Sequence, residues 1–161
     1  MVSDDPIQKI ELAYDGSASS KEAVSELMRF HWPEVTEVNV LSVIPTFDFY
    51  GQEYGMMVQQ HDHEEQERAR GLCEKMVSTL SSYVPHVDMQ IALGDHIGDA
   101  IVRIADQNAS QLIVLGDNGH GMLGELLLGS TTKYVLRHAH CSVWISRHHR
   151  TIGEMSPRSD S

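Results

Sequence analysis

Cysteine is scarce in this sequence, with only Cys73 and Cys141 among 161 residues. Two cysteines so far apart form no paired metal or redox motif, and we expect them to be buried thiols in a reducing compartment. Long apolar runs are also missing, because stretches such as Leu112–Leu115 are far shorter than the roughly 20 residues that cross a bilayer. The start of the chain, Met1–Pro6, lacks the basic and apolar segments of a secretory signal. The sequence therefore predicts a cytoplasmic protein without a membrane span.

The sequence is also poor in positively charged residues. The chain has 12 Lys and Arg residues against 23 Asp and Glu residues, for a net charge of −11. Such an acidic chain repels the phosphate backbone of nucleic acids and anionic membrane surfaces, so we expect neither as a partner. The share of apolar residues, 41%, and of charged residues, 22%, is ordinary for a globular protein, and the length suits one domain.

The hydrophobic pattern alternates between strand-like and helix-like segments. Short runs rich in β-branched residues are bounded by Gly or Pro, and the segments between them carry apolar residues at helical spacing. This order predicts an α/β fold with parallel strands, right-handed crossovers and helices on both faces of the sheet. The predicted strands are Ile7–Tyr14, Val38–Ile44, Val87–Leu93, Leu112–Leu115 and Ser142–Ser146, and the predicted helices are Lys21–Phe30, His61–Tyr83, Ile97–Gln107 and Ser130–His138.

Two segments depart from this alternation. Thr46–Gln60 lacks sustained periodicity but is rich in aromatic and Met residues, so we predict a loop that packs on itself or on a ligand. Residues 148–161 are polar, with Pro157 and three serines, and we predict a flexible tail there. The chain is thus predicted to hold a single domain, residues 1–147, followed by that tail.

Glycines are concentrated after the fourth predicted strand, where Gly116, Gly119, Gly129 and Ser130 form the pattern G-x-x-G-x9-G-S. Glycine lets the main chain approach a ligand closely, and the last two residues place backbone N–H groups at a predicted helix start. Lys133 adds a positive charge within the first turn. In a doubly wound sheet, ligands bind beyond the carboxyl ends of strands where the winding reverses, which favours the loops after the first and fourth strands. The pattern therefore predicts a phosphate site.

Together with Leu12–Ser17 and Val135–Val143, this pattern resembles the universal stress protein family, and the resemblance extends over Ile7–Arg147. It implies a single-domain, doubly wound sheet of five parallel strands in the order 3-2-1-4-5, a Rossmann-like fold similar to the adenine nucleotide alpha hydrolases. It also implies ATP binding, with glycines at the phosphates, an Asp at the nucleoside and a Val at the base. The resemblance further implies a homodimer that pairs through the edge strand Ser142–Ser146. Matched by position, the implied site residues are Ala13, Tyr14, Asp15, Val43, Leu115, Gly116, Gly119, Gly129, Ser130 and Thr131.

Two acidic residues depart from the family pattern around the phosphates. Asp117 stands where a small residue is common, and the segment with Glu125 has no Lys or Arg, although the family often carries a basic residue there. Each carboxylate would oppose triphosphate binding by about 1 kcal/mol in a water-like environment. Three alternatives stay open for Asp117: it points away, it helps to hold Mg²⁺, or it marks weak nucleotide affinity. We therefore expect an ATP-binding regulator of stress responses, with a nucleotide-free interaction module and a slow ATP hydrolase as alternatives.

Other motifs are weaker. A G-x-G-x-x-G match begins at Gly119, but it follows a late strand and no acidic residue lies about 20 positions later. Histidines two residues apart, such as His61 and His63 or His138 and His140, point to different faces of a helix and do not predict a metal site. No Ser, His and Asp set assembles into a nucleophilic triad, so the sequence assigns no catalytic residue.

Overall fold

A computed structural model describes residues 6–46, 55–117 and 128–147 of the chain. Five strands alternate with four helices in these ranges, as the hydrophobic pattern predicts. The strands are β1 Lys9–Ala13, β2 Glu37–Pro45, β3 His86–Gly94, β4 Leu112–Gly116 and β5 Ser142–Ser146, and the helices are α1 Ala18–Leu27, α2 Gly55–Leu80, α3 Ile97–Gln107 and α4 Ser130–His138. Among the residues described, no helix combines the length and the apolar character that a membrane crossing requires. The predicted tail, residues 148–161, lies outside the described residues.

The strands form one parallel sheet in the order β3-β2-β1-β4-β5, which confirms the order that the family resemblance implies. Ile10 of β1 pairs with Val38 of β2 on one side and with Leu112 of β4 on the other. The chain thus runs outward from β1 to β3 and then returns to the opposite side of β1. Because the winding reverses between β1 and β4, a crevice lies beyond the carboxyl ends of these two neighbouring strands.

Two apolar layers cover the sheet, because successive residues of a strand face opposite sides. Ile10 and Leu12 of β1 pack with α1 and α2, in a layer that contains Leu27 and Leu80 from those helices. On the other side, Ile113 of β4 packs with residues of α3 and α4. Helices therefore lie on both faces of the sheet, as the sequence predicts.

Helix α1 begins and ends three residues earlier than the predicted range Lys21–Phe30. Ser17 caps this helix, because its hydroxyl accepts the hydrogen bond from the Ser20 N–H at 3.2 Å, and the following serines Ser19 and Ser20, which also suit a cap by residue type, do not. Ser19 and Ser20 are instead buried in the first turn. The serines that follow β1 are therefore the start of α1 itself, next to the carboxyl end of that strand.

Helix α2 begins at Gly55, six residues before the predicted start at His61. Part of the predicted loop Thr46–Gln60 is therefore helical, and residues 47–54 lie outside the described residues. The first turns of α2 read Gly-Met-Met-Val-Gln-Gln, which has no helical spacing of apolar residues, so periodicity missed them. The later turns follow the prediction, and Cys73 and Leu80 lie in the core.

Glu11 of β1 carries a carboxylate into the core beside the end of α3, where it is fully buried. The carboxylate accepts hydrogen bonds from the Asn39 amide of β2, from the Asn108 amide at 3.0 Å and from the Ser110 hydroxyl at 3.2 Å. Burial raises the pKa of this carboxyl, and the three hydrogen bonds offset only part of the rise. We refer to Glu11, Asn39, Asn108 and Ser110 as the Glu11 cluster.

Candidate functional site

A cleft of about 210 Å³ opens at the carboxyl ends of β1 and β4, where the winding reverses. Six apolar side chains form one part of its lining, which we call the apolar wall, and the rest consists mostly of short polar side chains and main chain. Such a cleft suits a ligand with a flat apolar part and a charged part. The apolar wall consists of Ala13, Leu41, Val43, Ile97, Ile101 and Leu115, and the rest of the lining consists of Tyr14, Asp15, Ser17, Ser19, Ser20, Gly116, Gly129, Ser130, Thr131 and Thr132.

Asp15 lies at the tip of β1, in a turn built by the sequence Asp-Gly-Ser. Gly16 takes a φ of +78°, in the left-handed region that glycine favours. The Ser17 N–H closes the turn by donating to Asp15 Oδ1 at 2.9 Å. Partial desolvation raises the pKa of the Asp15 carboxyl, but hydrogen bonds from Ser17 and Ser20 outweigh it, so the pKa is lowered. Asp15 is therefore an anionic hydrogen-bond acceptor at neutral pH.

Gly116, at the end of β4, lets this strand touch α1. A Cβ atom at Gly116 would come within 2.5 Å of the Ser19 Oγ atom and within 2.6 Å of the Ser19 carbonyl carbon. A side chain at this position would therefore push the start of α1 away from β4. Packing between strand and helix thus requires glycine here, whatever contact Gly116 makes with a ligand.

The amino end of α4 presents main-chain donors to the cleft. Its N-cap residue, Gly129, has no side chain, and no side-chain hydrogen bond caps the helix. By contrast, Ser17 caps α1 and His96 caps α3. The first bond of the α4 ladder runs from the Lys133 N–H to the Gly129 carbonyl at 2.9 Å, so the N–H groups of residues 130–132 precede that ladder. These N–H groups and the helix dipole favour an anion at this end of the cleft.

The first turn of α4 is tied to the end of β4. The Gly129 N–H donates to the Asp117 carbonyl at 3.0 Å, and the Thr132 hydroxyl lies 3.0 Å from the Gly116 carbonyl oxygen and 3.1 Å from that of Asp117. The Asp117 N–H donates in turn to the carbonyl of Ser146, the last residue of β5, at 2.9 Å. Main-chain atoms of β4, β5 and α4 are thereby connected behind the cleft.

The structure brings nine of the ten predicted site residues into the lining of this cleft, and the tenth, Gly119, lies outside the described residues. Their contacts with a ligand stay predictions. Glu125 also lies outside the described residues, and Asp117 is not part of the described lining.

Sequence reasoning missed seven lining residues, which are Leu41, Thr132 and two groups on α3 and at the start of α1. Ile97 and Ile101 lie one turn apart on α3, a spacing that predicts a buried face but not one that borders a cleft. The serines of α1 also line the cleft, and their signal was the run Asp-Gly-Ser-Ala-Ser-Ser directly after a predicted strand. Such a run at the tip of the first strand marks both a helix start and a possible polar wall.

The fold and the cleft together define a doubly wound α/β domain with a cleft at the point where the winding reverses, which is where domains of this class bind ligands. The universal stress protein family model matches residues 6–147 of the chain, so the protein belongs to the universal stress protein family. It is similar to the universal stress protein Sll1388 of Synechocystis sp., with 28% identity over 151 residues, which cover 87% of this chain and 97% of the relative.

Solved structures share this fold. Hypothetical protein MJ0577 superposes with a TM-score of 0.80 at 23% identity, covering 91% of this chain and 100% of that chain. A universal stress protein family member from Arabidopsis thaliana, solved with AMP bound, gives a TM-score of 0.61 at 17% identity and covers 94% of this chain and 97% of its own. Two further universal stress proteins with the same fold were solved with cAMP and, from Archaeoglobus fulgidus, with dAMP. Adenine nucleotides are thus ligands of several structural neighbours.

Proposed function

We propose that this protein binds an adenine nucleotide, ATP, in the cleft between β1 and β4 and acts by binding rather than by turnover. The observation that carries the proposal is that the uncapped start of α4 and the anionic Asp15 line one cleft with an apolar wall. The neighbours solved with AMP, cAMP and dAMP support this class of ligand. We place the protein in the cytoplasm, a compartment in which Cys73 and Cys141 stay free thiols.

Each part of the nucleotide has a counterpart in the cleft. The base packs against the apolar wall around Val43 and Leu115, where it leaves water. The ribose hydroxyls donate to Asp15, because an ionised carboxylate only accepts hydrogen bonds. The phosphate oxygens accept from main-chain N–H groups of Ser130 and Thr131 at the start of α4.

We propose that Mg²⁺ accompanies ATP. The described lining of the cleft includes Asp15 but no Lys or Arg, so only neutral main-chain and hydroxyl donors and the α4 dipole face the triphosphate charge there. Lys133 is exposed in the first turn of α4 and adds a positive charge beside the lining. A magnesium ion bound mainly by phosphate oxygens and water needs few protein ligands. ATP affinity should therefore fall when EDTA removes Mg²⁺, and an unchanged affinity would contradict this part of the proposal.

Calorimetric titration of nucleotide-free protein with ATP and Mg²⁺ tests the site, and extraction of freshly purified protein identifies any bound nucleotide.

We expect Asp15→Ala to weaken ATP binding by roughly tenfold or more, because a hydrogen bond to a charged group is worth about 1.5–3 kcal/mol. The matched control is Asp106→Ala, whose carboxylate pairs with His140 at 3.0 Å on the surface. Wild-type protein without bound or binding nucleotide would contradict the proposal and favour the interaction module. Multiple-turnover release of phosphate would indicate a slow hydrolase.

We also propose a homodimer that pairs through β5. This strand pairs with β4 on one side, and in the described part of the chain no strand pairs with its other edge. An apolar strand edge of this kind favours pairing with another chain. The Ser142 N–H donates inward to the Gln111 carbonyl at 3.2 Å, so the Val143 N–H points to the open edge.

Sedimentation equilibrium tests this dimer. We expect Val143→Pro to remove an outward donor and produce monomers, while the ladder between β4 and β5 is kept. Thermal unfolding of the same variant checks that the fold survives. A wild-type protein that sediments as a monomer at all concentrations would contradict the dimer.

A further inference from the structure

Thr132 uses its side chain in an unusual way for a residue in the first turn of a helix. Ser and Thr side chains near helix starts commonly accept a hydrogen bond from the N–H groups of their own helix. The hydroxyl of Thr132, a residue that is only 3% exposed, instead reaches the carbonyl oxygens of Gly116 and Asp117 at 3.0 and 3.1 Å. A hydroxyl has one proton, so these two carbonyls share it. The side chain thus links α4 to the end of β4 and leaves its own helix uncapped.

A second link lies one turn of main chain earlier, where the Gly129 N–H donates to the same Asp117 carbonyl at 3.0 Å. Two links three residues apart, at Gly129 and Thr132, restrain both the sliding of α4 along its axis and its rotation about that axis. The N–H groups of Ser130 and Thr131 lie between the two links. Their direction toward the cleft is therefore set before any ligand arrives.

We infer that Thr132 is a positioning residue for the phosphate end of the nucleotide site: its hydroxyl fixes the direction of the main-chain donors of α4. This inference rests on the proposed nucleotide binding. Donors that are already held in place lose no conformational freedom when an anion binds. Removing the contact that holds them should therefore weaken phosphate binding. The apolar wall and Asp15 lie on other elements, and the nucleoside contacts do not depend on this link.

The test compares Thr132→Val, which keeps the shape and removes the hydroxyl, with Thr132→Ser, which keeps the hydroxyl. Affinities for Mg²⁺–ATP and for adenosine are measured by calorimetry and by ligand-observed NMR competition. For Thr132→Val, we expect the ratio of ATP affinity to adenosine affinity to fall by roughly fivefold, the size of one net hydrogen bond. For Thr132→Ser, we expect the wild-type ratio.

Thr36→Val is the matched control. Thr36 is fully buried and its hydroxyl donates to the Ile7 carbonyl at 3.3 Å, just before the amino ends of β1 and β2 and so at the opposite end of the strands from the cleft. This variant loses a comparable hydrogen bond and is expected to keep the wild-type ratio. Thr132→Ala serves as a second variant if Thr132→Val fails to fold, which thermal unfolding shows.

The outcomes separate this inference from the proposal on which it rests. A wild-type protein that binds no ATP contradicts the nucleotide site and the role of Thr132 with it. A wild-type protein that binds ATP, with an unchanged ratio in Thr132→Val or an equal fall for ATP and adenosine, overturns the positioning role alone. Faster hydrogen exchange at the Ser130 and Thr131 amides of ligand-free Thr132→Val would support the role independently of nucleotide.

Discussion

Two carboxylates, one in the middle of β1 and one just beyond its carboxyl end, contrast in their environment. At the carboxyl tip, partial desolvation raises the pKa of Asp15, but hydrogen bonds from Ser17 and Ser20 outweigh it and the pKa is lowered. Four residues earlier, burial dominates at Glu11 and the pKa is raised, although three side chains donate to it. Hydrogen bonding is thus common to both sites, and the extent of burial decides the sign.

The difference separates a carboxylate that serves the fold from one that is available to a ligand. Glu11 is fully buried, and amides and a hydroxyl of the protein occupy its oxygens. Asp15 is exposed, lines the cleft and gives one oxygen to the Ser17 N–H, which leaves acceptor positions open. Changes at Glu11 should therefore act on stability, and changes at Asp15 on ligand affinity.

The largest effect is expected from Glu11→Ala. The substitution removes the acceptor that the half-buried Asn39 and Asn108 amides and the half-buried Ser110 hydroxyl share. The lost hydrogen bonds, together with the new cavity at the fully buried Glu11 position, should lower the free energy of unfolding by about 3 kcal/mol. Urea unfolding followed by tryptophan fluorescence measures this loss, and ATP affinity should stay at its wild-type value. A loss below about 1 kcal/mol, or a selective loss of ATP binding, would break the contrast.

Next in size is Gly98→Ala in α3. The added Cβ would meet the Tyr134 Cβ at 2.9 Å, so α3 and α4 would have to move apart. Overpacking, less the gain in helix propensity, should cost roughly 1–2 kcal/mol of stability. Because Tyr134 belongs to α4, ATP affinity should fall as well.

Gly71→Ala in α2 is the matched control, since no atom lies within 4 Å of its added Cβ. It should stabilise the protein by about 0.5–1 kcal/mol and leave ATP binding unchanged. Equal effects of the two substitutions would show that the contact between α3 and α4 does not support the cleft.

A smaller effect, confined to binding, is expected from Asp15→Asn. The amide oxygen still accepts from the Ser17 N–H, so the turn and the free energy of unfolding should be kept. Charge-assisted hydrogen bonds are roughly twice as strong as neutral ones, so ATP affinity should fall by roughly fivefold. Calorimetry and urea unfolding on one preparation test both halves. A variant that loses stability but binds ATP normally would place Asp15 with Glu11, as a residue of the fold.

The smallest effect concerns pH. Because the pKa of Glu11 is raised in the folded state, the stability it contributes is fully present below its unfolded-state pKa and is lost as pH rises through the folded-state pKa. Asp15 has a lowered pKa, so its contribution is present above the unfolded-state pKa and is lost as pH falls through the folded-state pKa. Glu11→Gln should remove the loss of stability that the wild-type protein shows as pH rises through the folded-state pKa of Glu11. Parallel unfolding profiles for wild type and variant between pH 4 and pH 7 would argue against a raised pKa.

The bounds of α3, α4 and β5 were predicted without error. Helical apolar spacing marks α3, and the glycine-rich segment that ends at Gly129 marks the start of α4. The start of α1 was missed because several serines could cap it and only their geometry selects Ser17. The order of the strands came from the family resemblance, since periodicity is the same for any order.

For the candidate site too, local sequence motifs predicted some features, but contacts between distant parts of the chain could not be predicted. Glycine spacing and the first-strand Asp were sufficient to locate the cleft, because both lie at strand ends within short motifs. The hydroxyl of Thr132 and the donors around Glu11 could not be predicted. Asn108 and Glu11, for example, are 97 residues apart, and only the packed sheet brings them together.

Asp117 is bound through its carbonyl to the start of α4 and through its N–H to Ser146 of the edge strand. The main chain of Asp117 therefore connects the start of α4, where we propose that the phosphates bind, to β5, the strand that we propose pairs with a second subunit. If occupancy of the cleft alters subunit pairing through this joint, thermodynamic reciprocity requires that pairing alter nucleotide affinity by the same factor. Protein concentration would then tune the nucleotide response of the molecule, so that its abundance in the cell acts as a second input.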